Sequence, residues 1–194
     1  EKQRVEDSIA ATKTKVDTVD VFKDSLIMDS LLTARQLLPD AFITDTTNTE
    51  KLDTLENEKI KIVFTNKGGQ PKIVEVKDYQ KFDGKPVILE NGKFNKLSYK
   101  INTGNNQTAN TADIAFISSS KKISSDKSQS ISYVLKDAAG KEITHQYTMQ
   151  PNSYMVDFNI SMQGADKWVS QNTINLLWQS EMPQIEKDIA YERQ

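Results

Sequence analysis

Asn57–Lys77, NEKIKIVFTNKGGQPKIVEVK, is the stretch whose reading decides the fold. Ile60, Ile62 and Phe64 alternate with Lys59, Lys61 and polar neighbours, and a strand's two-residue period places the three apolar side chains on one buried face. Asn66-Lys67-Gly68-Gly69 then breaks the pattern. After it, Val74 and Val76 share a face opposite Glu75 and Lys77, with Ile73 as an extra apolar residue on the polar side. Asn66, Gly68 and Gly69 are therefore assigned to a structural turn between two strands, because glycine reaches positive φ without strain. A phosphate-cradling loop does not fit, since the run lacks G-x-x-x-x-G-K-[ST] and no helix pattern follows it.

Downstream the same period recurs. Ile131, Tyr133 and Leu135 share one face; Asp137–Gly140 turns the chain; Ile143, His145, Tyr147 and Met149 share the next. Gln150–Ser153 turns it again, and Tyr154, Val156, Phe158, Ile160 and Met162 face one way. These runs predict a three-stranded meander with one buried side, and each large side chain covered there contributes on the order of 1.5–3 kcal/mol. Between hairpin and meander, short strands are expected at Val87–Leu89, Leu97–Ile101 and Ile114–Ile117, with polar loops at 102–113 and 118–128. Thr173–Trp178 reads as a further strand, and Pro183 as the start of a terminal helix with Ile185 and Ile189 inward.

Upstream, Phe22, Leu26, Ile27, Leu31, Ala34 and Leu38 form a helical stripe that begins among aspartates and stops at Pro39. This amphipathic helix is expected to pack on the following domain, with docking on a partner or a membrane surface as the alternative. Residues 1–16 read as a frayed helix or tail, and 40–53 as a linker.

Bulk numbers narrow the function. Lysine and arginine total 25 against 27 acids, so the net charge of −2 gives no general attraction to nucleic acid. The absence of cysteine removes disulfides, thiolate nucleophiles and cysteine metal sites together. No window approaches the roughly 18 apolar residues of a membrane-spanning helix. The start at Glu1, with neither methionine nor a signal-like segment, reads as a piece cut from a longer protein.

Several of these pieces carry a family resemblance. Thr54–Asn57, Ile62–Gly69, Val74–Tyr79, Phe82–Pro86, the Asp137–Gly140 turn, the strand around Tyr154–Met162 and Gln184–Lys187 resemble the periplasmic domain of YidC membrane protein insertases of the Bacteroidetes type. The resemblance covers roughly residues 52–194, leaving 1–50 as the helical, variable tether. It implies an antiparallel β-supersandwich similar to galactose mutarotase, incomplete at its C-terminus, on the periplasmic side of the bacterial inner membrane. It also implies a scaffold or docking surface in membrane protein insertion. Expected partners are the rest of the YidC membrane domain, the Sec components SecDF and SecYEG, and nascent membrane proteins.

Mutarotase-like chemistry would need an acid and a base over a sugar ring. His145 is the single histidine, and its inward alternation makes it a core residue rather than a base. Ser118–Ser120 and Ser124–Ser125 lack a G-x-S-x-G turn, and Glu181, Glu186 and Asp188 read as a solvated helix face. No catalytic residue, metal ligand or cofactor site is assigned. Tyr79, Phe82, Tyr99, Trp168 and Trp178 are the candidates to line a cleft for an extended peptide or a glycan, with core packing as the alternative for each. A carbohydrate-binding or carbohydrate-processing supersandwich is the competing expectation, and a lipid carrier with an acyl-sized cavity is a third.

Overall fold

The structure, a computed structural model, describes residues 42–43, 49–104, 107–137, 140–188 and 190. They fall within the second of two units, Asp40–Gln194. The helix read over 17–38 and the inward Ile189 lie outside the described residues.

The quoted stretch folds as an antiparallel pair. Its strands belong to a sheet made of β2 (Leu52–Glu56), β3 (Ile60–Thr65), β4 (Gln70–Gln80) and β5 (Pro86–Asn91), in that order, and a short β1 (Phe42–Ile43) pairs elsewhere. Ile60, Ile62 and Phe64 are buried, as their period requires. The register slips between Val63 and Phe64, which brings Phe64 opposite Pro71. Beyond β5 come β6 (Lys96–Ser98), β7 (Lys100–Gly104), β8 (Gln107–Asn110), β9 (Ile117–Ser118) and β10 (Lys122–Ile123). The second large sheet is built on β11 (Gln129–Asp137), β12 (Glu142–Met149) and β13 (Val156–Met162), with β1, β9 and β10 pairing along β11. A short helix α1 (Ala165–Trp168) then leads to β14 (Leu177–Gln179), which pairs with β6.

The two large sheets pack face to face as an antiparallel β-sandwich. Phe64 of β3 lies 4.6 Å, ring centre to ring centre, from Tyr147 of β12 and 6.3 Å from Tyr133 of β11. Leu55, Ile131, Leu135, Ile143 and Met149 complete this layer, fully buried. Side-chain bonds tie the edges of the layers together. Gln129 Nε2 donates to the Glu56 carbonyl at 2.6 Å, and Glu56 N–H returns a bond to Gln129 Oε1. Asn57 Nδ2 donates to the carbonyls of Gln150 and Ser153 while its Oδ1 accepts from Lys59 and Ile60 N–H. One buried asparagine thus holds the β2–β3 turn against the β12–β13 turn.

Several boundaries differ from the sequence reading. The 102–113 stretch is an antiparallel hairpin, β7 with β8, followed by a 3-10 turn at Thr111–Asp113 that Asn110 caps through Ala112 N–H. Thr173–Ile174 and the residues up to Leu176 are irregular, and only Leu177–Gln179 form a strand, matching the three residues β6 offers. Residues 181–188 are not helical. There the Ile185 carbonyl accepts from Phe82 N–H and the Gln184 side chain bonds the Glu186 carbonyl, so groups a helix would pair internally are used otherwise. Strand β13 keeps its alternation, but its inward residues are only half-buried and Tyr154 precedes the strand, exposed.

Candidate functional site

The Asn66–Gly69 turn lies inside the sandwich rather than at its rim. Asn66 Oδ1 accepts from Lys51 N–H at 2.8 Å, the Asn66 carbonyl accepts from Phe116 N–H, and Gly68 N–H donates to the Ile114 carbonyl. Gly68 and Gly69 have φ of +77° and +54°. The Gly69 carbonyl accepts two bonds from the facing sheet, Tyr147 Oη–H at 2.8 Å and His145 Nδ1–H at 3.1 Å.

Because a carbonyl only accepts, the proton of neutral His145 sits on Nδ1, and Nε2 accepts from Tyr99 Oη–H at 2.8 Å. Burial pulls the imidazole pKa down to about 4, a shift the Gly69 bond only partly opposes. Burial likewise pushes the Tyr99 and Tyr147 hydroxyls well above the usual phenol range. Phe116 stacks on the imidazole and Phe158 meets it edge-on. A neutral, enclosed histidine with both nitrogens hydrogen-bonded is a structural cross-link between the two sheets.

The five aromatics do not share one cleft. Tyr99 and Trp168 are core residues, Tyr99 on His145 and Trp168 donating its Nε1–H to the Gln163 carbonyl at 3.1 Å. Tyr79, Phe82 and Trp178 face solvent, Trp178 with 74% of its surface exposed. Of these, Trp178 belongs to the C-terminal segment and Phe82 bonds to it through its backbone N–H. That segment runs beside β5 and the residues that follow it. Trp178 Nε1–H donates to Glu90 Oε1, Gln179 Nε2 to the Phe94 carbonyl, Glu181 N–H to Asn95 Oδ1, and Phe82 N–H to the Ile185 carbonyl.

Between segment and strand lies a groove of about 460 Å³. Pro86, Ile88, Met182 and Pro183 form its apolar walls, and Lys81 and Lys85 stand at it with Glu181. The Lys81 ammonium lies 5.9 Å from the Phe82 ring centre, over its face. Apolar walls with two lysines suit an extended segment carrying bulky apolar and acidic side chains. Neither Phe82 nor Trp178 lines it, and sequence reading did not find the residues that do, because the groove joins residues about a hundred positions apart and no period marks such a pairing.

Glu181, Glu186 and Asp188 are all exposed, and among the described residues no group of three or more histidine, aspartate or glutamate side chains could hold a metal. Ser119 Oγ accepts from Ser132 N–H, which holds that serine run on the edge of β11.

Comparison with known proteins follows the same outline. A family model described as the YidC periplasmic domain matches residues 53–194. The chain is 32% identical over 147 residues to a membrane protein insertase YidC of Phocaeicola vulgatus, covering 75% of this chain and 23% of that protein. It is 26% identical over 178 residues to that of Parabacteroides distasonis (91% and 27%), and 27% identical over 194 residues to that of Bacteroides fragilis (98% and 30%). The chain therefore spans less than a third of the length of these curated relatives. No solved structure gives a significant match.

Proposed function

The chain belongs to the YidC periplasmic domain family, and on that premise we propose that it is a non-catalytic scaffold and docking surface of a membrane protein insertase. The domain stands on the periplasmic side of the inner membrane, with residues 1–50 as its tether and 52–194 as the sandwich. Its partners are the insertase's own membrane domain, Sec components such as SecDF and SecYEG, and emerging membrane proteins.

The family match carries the reading, and the groove beside β5 supplies a surface for it. Exposed Phe82 and Trp178 offer flat apolar contact, and Lys81 and Lys85 offer charge to acidic flanks of an incoming segment. The test places photo-crosslinking residues at positions 82 and 178 of the full-length insertase in membranes. Crosslinks to Sec subunits or newly made membrane proteins are the expected result. If neither class is captured, and deleting residues 53–194 leaves insertion and partner association unchanged, the docking reading is wrong. Saturable binding of simple sugars by calorimetry, lost in the Trp178→Ala variant, would favour the carbohydrate alternative instead.

A further inference from the structure

Strand β5 runs between two chemically labile dipeptides, Asp83–Gly84 just ahead of it and Asn91–Gly92 at its end, the only Asp–Gly and Asn–Gly pairs in the sequence. In such pairs the glycine nitrogen can attack the preceding side-chain carbonyl carbon, because no β-carbon hinders its approach. The fold treats the two pairs in opposite ways.

Asp83–Gly84 is held. Asp83 Oδ1 accepts from Lys85 N–H at 3.2 Å, and its Oδ2 lies 3.1 Å from Lys85 Nζ. These bonds from Lys85 keep the carboxyl below its usual range, and an ionised carboxylate is a poor electrophile. The nucleophile is engaged too, since Gly84 N–H donates to the Lys81 carbonyl at 2.9 Å. A φ of +77° accounts for the glycine there.

Asn91–Gly92 carries none of these restraints. Asn91 is the last residue of β5 in the ladder, opposite Ile73, and both it and Gly92 are exposed. Among the described residues no hydrogen bond engages the Asn91 carboxamide or the Gly92 N–H. Nor does the fold require glycine at this position. Gly92 is not at positive φ, and an added β-carbon would meet only Phe94 N, at 3.8 Å, an ordinary contact. Elsewhere, Asn57, Asn66 and Asn110 use their carboxamides in hydrogen bonds, and Asn159 precedes the β-branched Ile160.

We propose that Asn91 is a modification site, at which the folded domain deamidates without an enzyme to a mixture of aspartate and isoaspartate. Gly92 N–H gives its proton to hydroxide, and the nitrogen bonds to Asn91 Cγ. The Cγ–Nδ2 bond breaks and ammonia leaves, closing a succinimide ring. Water then adds to one of the ring carbonyls. Opening at Cγ gives aspartate, and opening at the main-chain carbonyl gives isoaspartate, with Gly92 attached through Cγ. The net change is amide plus water to carboxylic acid plus ammonia, with nothing oxidised or reduced.

The product alters the groove beside β5. Asn91 and Gly92 line it with Lys81, Lys85 and Glu181, whose formal charges leave one net positive, and a carboxylate at 91 cancels it. Isoaspartate also adds a methylene to the main chain, which displaces the position that pairs with Ile73.

The purified 194-residue chain, held at mildly alkaline pH and sampled over days, should acquire an acidic form. Peptide mapping with electron-transfer fragmentation, which separates isoaspartate from aspartate, should place it at 91 before any other asparagine. Gly92→Ala should slow the conversion about tenfold, which is about 1.4 kcal/mol in the barrier. Asn91→Gln, which would have to close a larger ring, should remove the acidic form. Both substitutions lie at exposed positions, clear of the core. An Asn91 that stays intact while other asparagines convert overturns the proposal, as does a rate indifferent to Gly92→Ala. So does a folded chain more than about tenfold slower at 91 than the guanidinium-unfolded chain, because the fold would then close the site. Isoaspartate at 91 in the purified chain but none in the full-length insertase aged in membranes would overturn it for the whole protein.

Discussion

Gly69→Ala isolates the packing of the turn on the facing sheet. A β-carbon built on Gly69 would stand 2.7 Å from Tyr133 Cβ, 3.1 Å from Tyr133 Cγ and 3.2 Å from His145 Nδ1. The first distance is one that real Cβ atoms essentially never show, and Tyr133 Cβ is fixed to its strand, so the turn or β11 must shift. Moving the turn strains the bonds from His145 and Tyr147 to the Gly69 carbonyl.

Two terms add. Holding alanine at φ +54° costs roughly 1–2 kcal/mol, and forcing an extra methyl into a packed interior costs roughly 1–3 kcal/mol. The sum, about 2–5 kcal/mol, is a large share of the roughly 5–15 kcal/mol that holds a domain folded. At roughly 2–4 °C per kcal/mol for a domain of this size, Tm should fall by about 4–20 °C in differential scanning calorimetry. Gly84→Ala is the control. Gly84 has the same sign of φ, +77°, but nothing within 4 Å of the added carbon, so it should show the conformational cost alone. Equal shifts for the two variants would refute the steric argument, and a Tm for Gly69→Ala within about 2 °C of the parent would refute the account of the turn as a packed joint.

Two further measurements probe the same interior. His145 titrates near 4 in the folded chain against an ordinary 6.5. Above pH 6.5 it is neutral in both states and contributes nothing to pH dependence. Between 6.5 and about 4 the unfolded chain takes up a proton the folded one refuses, so stability falls by about 3 kcal/mol and then levels off. Urea midpoints across that window should fall less steeply for His145→Gln; an unchanged slope would contradict the assignment. Asn57→Ala removes two bonds to the β12–β13 turn and two caps on the β2–β3 turn, leaving carbonyls of Gln150 and Ser153 without that partner. A loss of about 2–4 kcal/mol in urea unfolding is expected, and a loss under about 0.5 kcal/mol would show that water replaces the side chain at little expense.

How much of this was legible in the sequence depends on the kind of signal. Alternation at Ile60–Phe64, Ile131–Leu135 and Ile143–Met149 is a local property of strands with one buried face, and there the reading and the burial agree. His145 was read as a core residue on the same ground. The 100–110 hairpin escaped because its Thr, Asn and Gly residues pair through backbone bonds with little apolar contrast between faces. The end of β4 escaped likewise: residues 77–80 are exposed, and pairing at Gln80 with Pro86 carries the strand past its last buried residue, Val76.

Aromatic residues were read alike, although Tyr99 lies in the core and Trp178 in solvent, since a lone aromatic has no period to say which way it faces. The start of the terminal helix was misplaced for a related reason: residues 181–188 are not helical, whereas Ala190 is. Pro183 and nearby glutamates are a valid start signal, yet the Ile185 carbonyl is engaged by Phe82 from far upstream. The bonds of Asn57 and Gly69 span 76 to 96 residues, beyond any local pattern.

On the proposed periplasmic placement, those long spans bear on the order in which the domain can close as it is exported with its earlier residues first. The Gly69 carbonyl must wait for His145 and Tyr147, 76 and 78 residues later, before its bonds can close. Until position 147 has crossed, the first hairpin can zip locally but its apolar face has no opposite layer to lie on. The step that commits the fold is therefore tied to the progress of export, and any stall before that point leaves Ile60, Ile62 and Phe64 open to whatever chaperone or neighbouring surface reaches them first.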